Sequence, residues 1–147
     1  MSREAIADAI ESQIDKLIEK WIVAVRDDPR IESDEMLSKP ELIDHVPAIV
    51  EEICQLIRDG KKPNVRNSQD AKANVYTRFH QGYKGRDLVR ELSLLRITLL
   101  DYLTAFAEAA ADVDANSRHE AATILNLYLD EEMRYAISVY SNPSNPR

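Results

Sequence analysis

The chain of 147 residues has the size of one domain, and its 44% hydrophobic and 31% charged residues are typical of a folded protein in water. Its three glycines form no phosphate-binding loop, and a net charge of −7 differs from the basic character of a nucleic-acid-binding protein. No apolar run reaches the roughly 18 residues of a membrane-spanning helix, and a single cysteine indicates a reducing compartment. We therefore predict a cytoplasmic protein with neither a membrane nor a nucleic-acid partner.

Apolar residues repeat at three- and four-residue steps and predict five helices. The first spans 6–25 and ends before Pro29, because proline disfavours helical geometry in the residue that precedes it. A short helical turn is predicted over 33–37. The second helix, over 38–60, opens with a capping box and ends at a glycine, and Pro47 is expected either to start its main part or to kink it.

The remaining predicted helices occupy the second half of the chain. The third begins at Asn67 or Ser68 and stops near Gly82. The fourth, over 86–112, is the longest, and it is apolar on more than one face, which is typical of a central or interface helix. The fifth begins near Asn116 or Ser117 and runs to Tyr140, with a second predicted capping box over Ser117–Glu120.

No stretch alternates polar and apolar residues as a half-buried strand does. The predicted fold is therefore all-α, with five main helices in a compact bundle. We predict one domain over 1–140, followed over 141–147 by a linker or disordered tail rich in Ser, Asn and Pro. Within the bundle, Trp21 and Cys54 lie on or beside apolar stripes, and both are predicted to be buried.

Histidines are the first candidates for metal, haem or acid–base chemistry, and the chain has three of them, His45, His80 and His119. None belongs to a zinc motif, and none follows a glutamate by three residues as in carboxylate-bridged metal bundles. Neither a metal site nor a catalytic residue is predicted. A structural role is the preferred interpretation of these histidines, and a haem or tetrapyrrole site that uses His80 or His45 is the alternative.

Charge is distributed unevenly along the chain. Residues 1–60 carry a net charge of −8, residues 61–100 carry +6, and residues 101–147 carry −5. The preferred interpretation is that the cations of the middle third pair with acidic groups of the flanking helices. The alternative is a docking site for an acidic partner or anionic ligand at the turn Gly82-Tyr83-Lys84-Gly85-Arg86, beside a helix N-terminus.

Three sequence blocks occur in a recognisable order. They are Trp21-Ile-Val-Ala-Val-Arg-Asp-Asp-Pro-Arg-Ile31, Leu37-Ser-x-Pro-Glu-Leu-x-Asp-His-x-Pro47, and Gly82-Tyr83 followed by Leu88-Val-Arg-Glu-Leu-x-x-Leu-Arg96. Together they resemble the N-terminal domain of RsbRD-type regulators, the RsbT co-antagonist family, over about residues 10–110. Lys84-Gly85 departs from the family pattern, which has a serine and an apolar residue after Gly-Tyr.

The resemblance implies a helical, cytoplasmic input domain without catalytic activity or cofactor. Such a domain relays its state to a C-terminal histidine kinase or STAS module in bacterial signal transduction. Related stress-regulator domains imply a globin-like fold without haem and a homodimer. The fourth predicted helix would then supply the dimer face, alone or with the fifth, and the fifth would lead to the output module.

The resemblance and the charge pattern together suggest a ligand or partner site. The residues expected to line it are Trp21, His45, His80, Tyr83, Lys84, Arg86, Arg90, Glu91 and Arg96. Glu91 and Arg96 lie at opposite edges of the apolar stripe of the fourth helix. Each is therefore expected to find its partner on a neighbouring element.

Overall fold

The computed structural model describes residues 2–64 and 68–144, and within these ranges the chain is helical and contains no strand. The α-helices, in chain order, are α1 (Ser2–Ser12), α2 (Ile14–Asp27), α3 (Lys39–Ile43), α4 (Val46–Asp59), α5 (Gln69–His80), α6 (Gly85–Ala109) and α7 (Ala115–Ser141). A 3-10 turn at Ser33–Met36 stands where a short helical turn was expected. The predicted all-α class is confirmed.

The first predicted helix is interrupted in the structure. Gln13, with φ −117° and ψ 16°, separates α1 from α2. The hydroxyl of Ser12 donates to the carbonyl of Ala9 at 2.8 Å, and the Gln13 amide bonds the carbonyl three residues earlier instead of four. A serine that bonds the backbone in this way competes with the regular helix. The apolar stripe continues across the break, so the pattern predicts the buried face but not the interruption.

The observed caps confirm several predicted helix boundaries, but the second predicted helix is divided into α3 and α4 by Asp44, whose φ is 30°. Ser38 opens α3 with a complete capping box, Ser68 caps α5 by accepting from the Ala71 amide at 3.0 Å, and Pro47 lies in the first turn of α4. Gly60 ends α4 with φ 62°, a left-handed conformation that side chains disfavour. Asn67, the other predicted start of the third helix, lies outside the described residues.

The last helix begins at Ala115, within two residues of the predicted start at Asn116 or Ser117, but the predicted capping box at Ser117 is wrong. Asp114 caps α7 and accepts from the Ser117 amide at 2.6 Å, so Ser117 belongs to the first turn and is not itself the cap. Carboxylates cap helices as well as hydroxyls do, which is why the sequence alone did not separate the two positions. At the other end α7 includes Ser141, and residues 145–147 of the predicted tail lie outside the described residues.

The long helices α6 and α7 form the most extensive helix–helix contact of the described residues. α1 packs against α4, α6 and α7, α2 packs against α6, and α5 packs against α7. Buried apolar side chains from every helix join into one core. Among the described helices, none has both the length and the apolar character required to cross a membrane.

Trp21 and Cys54 are buried in this core, as predicted. Burial raises the pKa of the Cys54 thiol to about 12. Because the thiolate is the reactive form of cysteine, this thiol is expected to be inert at neutral pH.

Candidate functional site

A fully buried ion pair joins α5 to α6. The Nη2 and Nε atoms of Arg78 donate to Glu91 Oε1 at 3.0 and 3.1 Å, and neither side chain is exposed to solvent. The guanidinium also donates to the backbone carbonyls of Leu42 at 2.6 Å and Glu41 at 3.1 Å, and to Gln81 Oε1 at 3.3 Å. Burying two charges is costly unless their hydrogen-bonding atoms find partners. Arg78 meets this requirement by tying α3, α5 and α6 together.

Two aromatic residues complete the surroundings of Glu91. The Tyr83 hydroxyl donates to Glu91 Oε2, and the centre of the Tyr83 ring lies 5.1 Å from the guanidinium carbon of Arg78. The indole nitrogen of Trp21 donates to the Glu91 backbone carbonyl at 3.0 Å. We refer to Arg78, Glu91, Tyr83 and Trp21 as the Arg78 cluster.

The electrostatics of the Arg78 cluster follow from its burial. Burial raises the pKa of Glu91, while the charge of Arg78 and the hydrogen bond from Tyr83 act in the opposite direction. Burial and the neighbouring charge of Glu91 both raise the pKa of the Tyr83 phenol. Tyr83 therefore keeps its proton and remains a hydrogen-bond donor at physiological pH.

A second buried polar group lies between α5 and α7. Asn74 Nδ2 donates to Glu132 Oε2 at 3.0 Å, and both side chains are fully buried. Glu132 Oε1 and Asn74 Oδ1 have no hydrogen-bond partner among the described residues. Burial raises the pKa of Glu132 to about 8, and the hydrogen bond from Asn74 opposes this rise.

A third group extends the polar surroundings of Glu132 towards α4. Glu52 Oε2 accepts from Ser68 Oγ at 2.8 Å and from the Tyr128 hydroxyl at 3.1 Å. Tyr128 lies one turn before Glu132 on α7. Polar groups thus extend from the partly exposed Glu52 on α4 to the buried Arg78 cluster at α6, and α7 contributes Tyr128 and Glu132 to them.

The predicted site residues divide into a buried group and a surface group. Trp21, Tyr83 and Glu91 meet in the Arg78 cluster, which is also where Glu91 finds its expected partner on a neighbouring helix. The others lie at or near the surface and do not join them. They are His45, His80, Lys84, Arg86, Arg90 and Arg96.

Three cations of the middle third pair with acidic groups of the flanking thirds, and for these three the preferred interpretation is confirmed. Lys84 contacts Glu32 at 3.1 Å, Arg90 contacts Asp28 at 2.8 Å, and Arg96 contacts Asp130 on α7 at 2.8 Å. Arg78 also forms an ion pair, but its carboxylate partner comes from the same third of the chain. Arg86 is exposed and lines a surface groove of about 370 Å³ between the start of α6 and the end of α7.

The two histidines of the haem alternative lie in different surroundings. His80 is exposed at the end of α5, where its ring stacks on Tyr76 with centroids 6.3 Å apart. His45 is half-buried, and its Nε2 lies 3.3 Å from both Thr77 Oγ1 and the Asp44 carboxylate. A haem ligand normally lies in an enclosed apolar pocket. These positions therefore lend the haem alternative no support.

Arg78, Asn74 and Glu132 are buried polar residues that sequence reasoning did not select. Glu132 stands four residues after Tyr128 and four before Ala136, both buried, so it lies on the apolar stripe of α7. A charged residue at such a position was the available signal. Its partner could not be read from the sequence, because Asn74 lies 58 positions away.

The end of α7 is attached to the turn that precedes α6. The Tyr140 hydroxyl donates to the Tyr83 backbone carbonyl at 2.7 Å, and the Tyr140 ring packs edge-on against Phe79 with centroids 5.0 Å apart. A Cβ on Gly85 would lie 3.1 Å from the same ring, so glycine permits this close approach. The last turn of α7 is thereby linked to the residue that bonds Glu91.

Tyr140→Phe should lower the free energy of unfolding by about 0.5–1.5 kcal/mol, because it removes one hydrogen bond to a backbone carbonyl. It should also speed amide hydrogen exchange in the last turns of α7. Tyr102→Phe is the matched control, since Tyr102 donates to the Ala9 carbonyl at 3.2 Å and joins α6 to α1 instead. Denaturant unfolding and exchange followed by mass spectrometry measure both effects. Equal exchange at the end of α7 in the two variants would contradict this role of Tyr140.

The family model of the RsbT co-antagonist protein rsbRD N-terminal domain matches residues 15–142. This match confirms the resemblance drawn from the three sequence blocks and extends it over α7. No curated protein and no solved structure matches the chain, so the globin-like arrangement stays a prediction. Both the Arg78 cluster and the Asn74–Glu132 pair lie inside the matched range.

Proposed function

The chain belongs to the RsbT co-antagonist protein rsbRD N-terminal domain family, a family of regulatory domains, and we propose that it is a sensory input domain of a signalling protein. In this proposal the domain is a cytoplasmic homodimer that performs no catalysis and holds no cofactor. It relays its state through α7 to an output module joined after the last helix. The expected output module is a histidine kinase or a STAS domain.

The position of α7 is the observation that carries the proposal. α7 contributes Glu132 and Tyr128 to the buried polar groups, and its last turn is attached to Tyr83 through Tyr140. A ligand or partner that favours one packing of these groups over another shifts the population of α7 positions. A module that follows α7 would experience that shift directly.

The surface of α6 and α7 supports the proposed dimer. Ile97 on α6 is 47% exposed, and Leu127 and Ile137 on α7 are 36% and 56% exposed. Single exposed apolar residues are common on protein surfaces. Here three of them lie on the two helices that pack most extensively with each other, which favours this pair as the interface of a homodimer.

The dimer is tested by sedimentation or light scattering of the purified domain. Ile137→Lys should raise the dimer dissociation constant by about tenfold or more, because a charge would enter the apolar contact. A tenfold change corresponds to a loss of ~1.4 kcal/mol in the free energy of association. Val23→Lys is the control, since Val23 is also 56% exposed but lies on α2. A monomeric wild-type domain would overturn the proposal of a homodimer. So would equal dissociation of the two variants.

The relay is tested on the complete protein. The sequence encoded after Arg147 should contain a kinase or STAS module, and its activity should differ between the wild type and Tyr140→Phe. An output module whose activity is independent of the Tyr140 contact would contradict a relay through α7.

A further inference from the structure

In the Asn74–Glu132 pair, two buried acceptor oxygens have no hydrogen-bond donor among the described residues. Asn74 Nδ2 uses one amide hydrogen on Glu132 Oε2, which leaves Glu132 Oε1 and Asn74 Oδ1 without a partner among the described residues. Both oxygens are fully buried, and an unsatisfied buried acceptor is costly. A single proton on Glu132 Oε1 would supply the missing donor, and Asn74 Oδ1, the other unpaired oxygen of the same pair, would be its acceptor.

We infer that Glu132 is protonated in the folded domain and forms a closed pair of two hydrogen bonds with the Asn74 amide, and that loss of this proton weakens the contact between α7 and α5. The site is thus a proton-binding site in the core. Its signalling consequence rests on the proposed function, since α7 is the helix that would carry the change to an output module.

The charged groups around Glu132 favour the neutral acid. Glu52 on α4 and Glu91 on α6 both act on it as carboxylates and disfavour a further negative charge, while Arg78 on α5 acts in the opposite direction. The guanidinium of Arg78, however, is hydrogen-bonded to Glu91 and to α3 carbonyls. On α7 itself, the Tyr128 hydroxyl donates to Glu52 and not to Glu132. No cation of the described residues forms an ion pair with Glu132.

The pH dependence of stability follows from this arrangement. The pKa of Glu132 is raised from an ordinary 4.5 to about 8 in the folded state. Between these two values the folded state holds a proton that the unfolded chain has released, so the free energy of unfolding falls as pH rises through this window. Above the folded-state pKa this contribution stops changing.

Glu132→Gln tests the inference, because glutamine keeps the shape of the acid, supplies an N–H donor to Asn74 Oδ1 and does not titrate. Relative to this variant, the folding equilibrium constant of the wild type should fall by up to about tenfold per pH unit between 4.5 and 8. Glu131→Gln is the matched control: it makes the same substitution one residue earlier on α7 and should keep the wild-type profile. Equal pH profiles for the wild type and Glu132→Gln would overturn the inference.

A second measurement needs no variant. In the wild-type domain labelled with ¹³C, the side-chain carboxyl carbon of one glutamate should titrate with a midpoint near 8. Titration of every glutamate at ordinary acidic pH would overturn the inference, whether or not Glu132→Gln folds.

The output of the complete protein separates this inference from the proposed function. If Glu132→Gln removes the pH dependence of stability but leaves a pH-dependent output unchanged, Glu132 binds the proton and the relay through α7 fails. If Glu132→Gln leaves the pH dependence of stability unchanged, the inference that Glu132 is protonated is wrong. The family-based proposal of a regulatory input domain does not depend on that result.

Discussion

Replacing Arg78 with alanine should lower the free energy of unfolding by about 3–5 kcal/mol, because a buried carboxylate would lose its partner. The Glu91 carboxylate would keep only the Tyr83 hydroxyl, and two α3 carbonyls would lose their donor. Small domains unfold with a total free energy of about 5–15 kcal/mol, so this loss is a large part of the stability. Urea unfolding followed by circular dichroism measures it.

Arg86→Ala is the control for Arg78→Ala. Arg86 is an exposed arginine in the first turn of α6, and its replacement should change stability by no more than about 0.5 kcal/mol. A double-mutant cycle with Glu91→Met and Arg78→Met should reveal a coupling of about 1–3 kcal/mol between the two side chains. Similar decreases in the free energy of unfolding for Arg78→Ala and Arg86→Ala would contradict the stabilising role of the buried ion pair.

Replacing Trp21 with alanine should lower the free energy of unfolding by about 3–5 kcal/mol, the usual cost of removing a large aromatic side chain from a core. Trp21 is 1% exposed where α2 packs on α6, and its indole nitrogen donates to the Glu91 carbonyl at 3.0 Å. The alanine variant would lose apolar contact and leave a cavity. Thermal or denaturant unfolding is the measurement.

Two further variants separate the contributions of Trp21. Trp21→Phe keeps most of the apolar contact and removes the N–H donor, so it should be less destabilising than the alanine variant. Val23→Ala on the exposed side of the same helix should change stability by no more than about 0.5 kcal/mol. If Trp21→Ala lowered the free energy of unfolding as little as Val23→Ala, the contact of Trp21 between α2 and α6 would contribute little to stability.

The two buried groups differ in how their charges are balanced. In the Arg78 cluster a permanent cation faces a carboxylate, and donors occupy both carboxylate oxygens. Such a matched group specifies one packing of α3, α5 and α6. The Asn74–Glu132 pair has no cation of its own, so its hydrogen bonding depends on a proton. The first group is therefore suited to hold the fold together, and the second is suited to respond to its surroundings.

Sequence patterns mark some buried residues and helix ends of this protein correctly and miss others. The apolar spacing predicted that Trp21 and Cys54 are buried, and the Ser38–Glu41 capping box and Gly60 marked real helix ends. The break at Gln13 was missed because neither glycine nor proline marks it. The cap of α7 is Asp114 and not the predicted Ser117, because aspartate and serine are both good caps.

The sequence by itself determined the helical class, the apolar faces and the family, because helix periodicity, caps and motif order are properties of neighbouring residues. Only the tertiary structure decided which polar residues meet in the core. Arg78 reaches Glu91 and the α3 carbonyls, and Asn74 reaches Glu132 across 58 positions, through the way α5 packs against α6 and α7. Those partners decide whether a buried charge is balanced or held neutral, because the cost of burial depends on every group that packs against it.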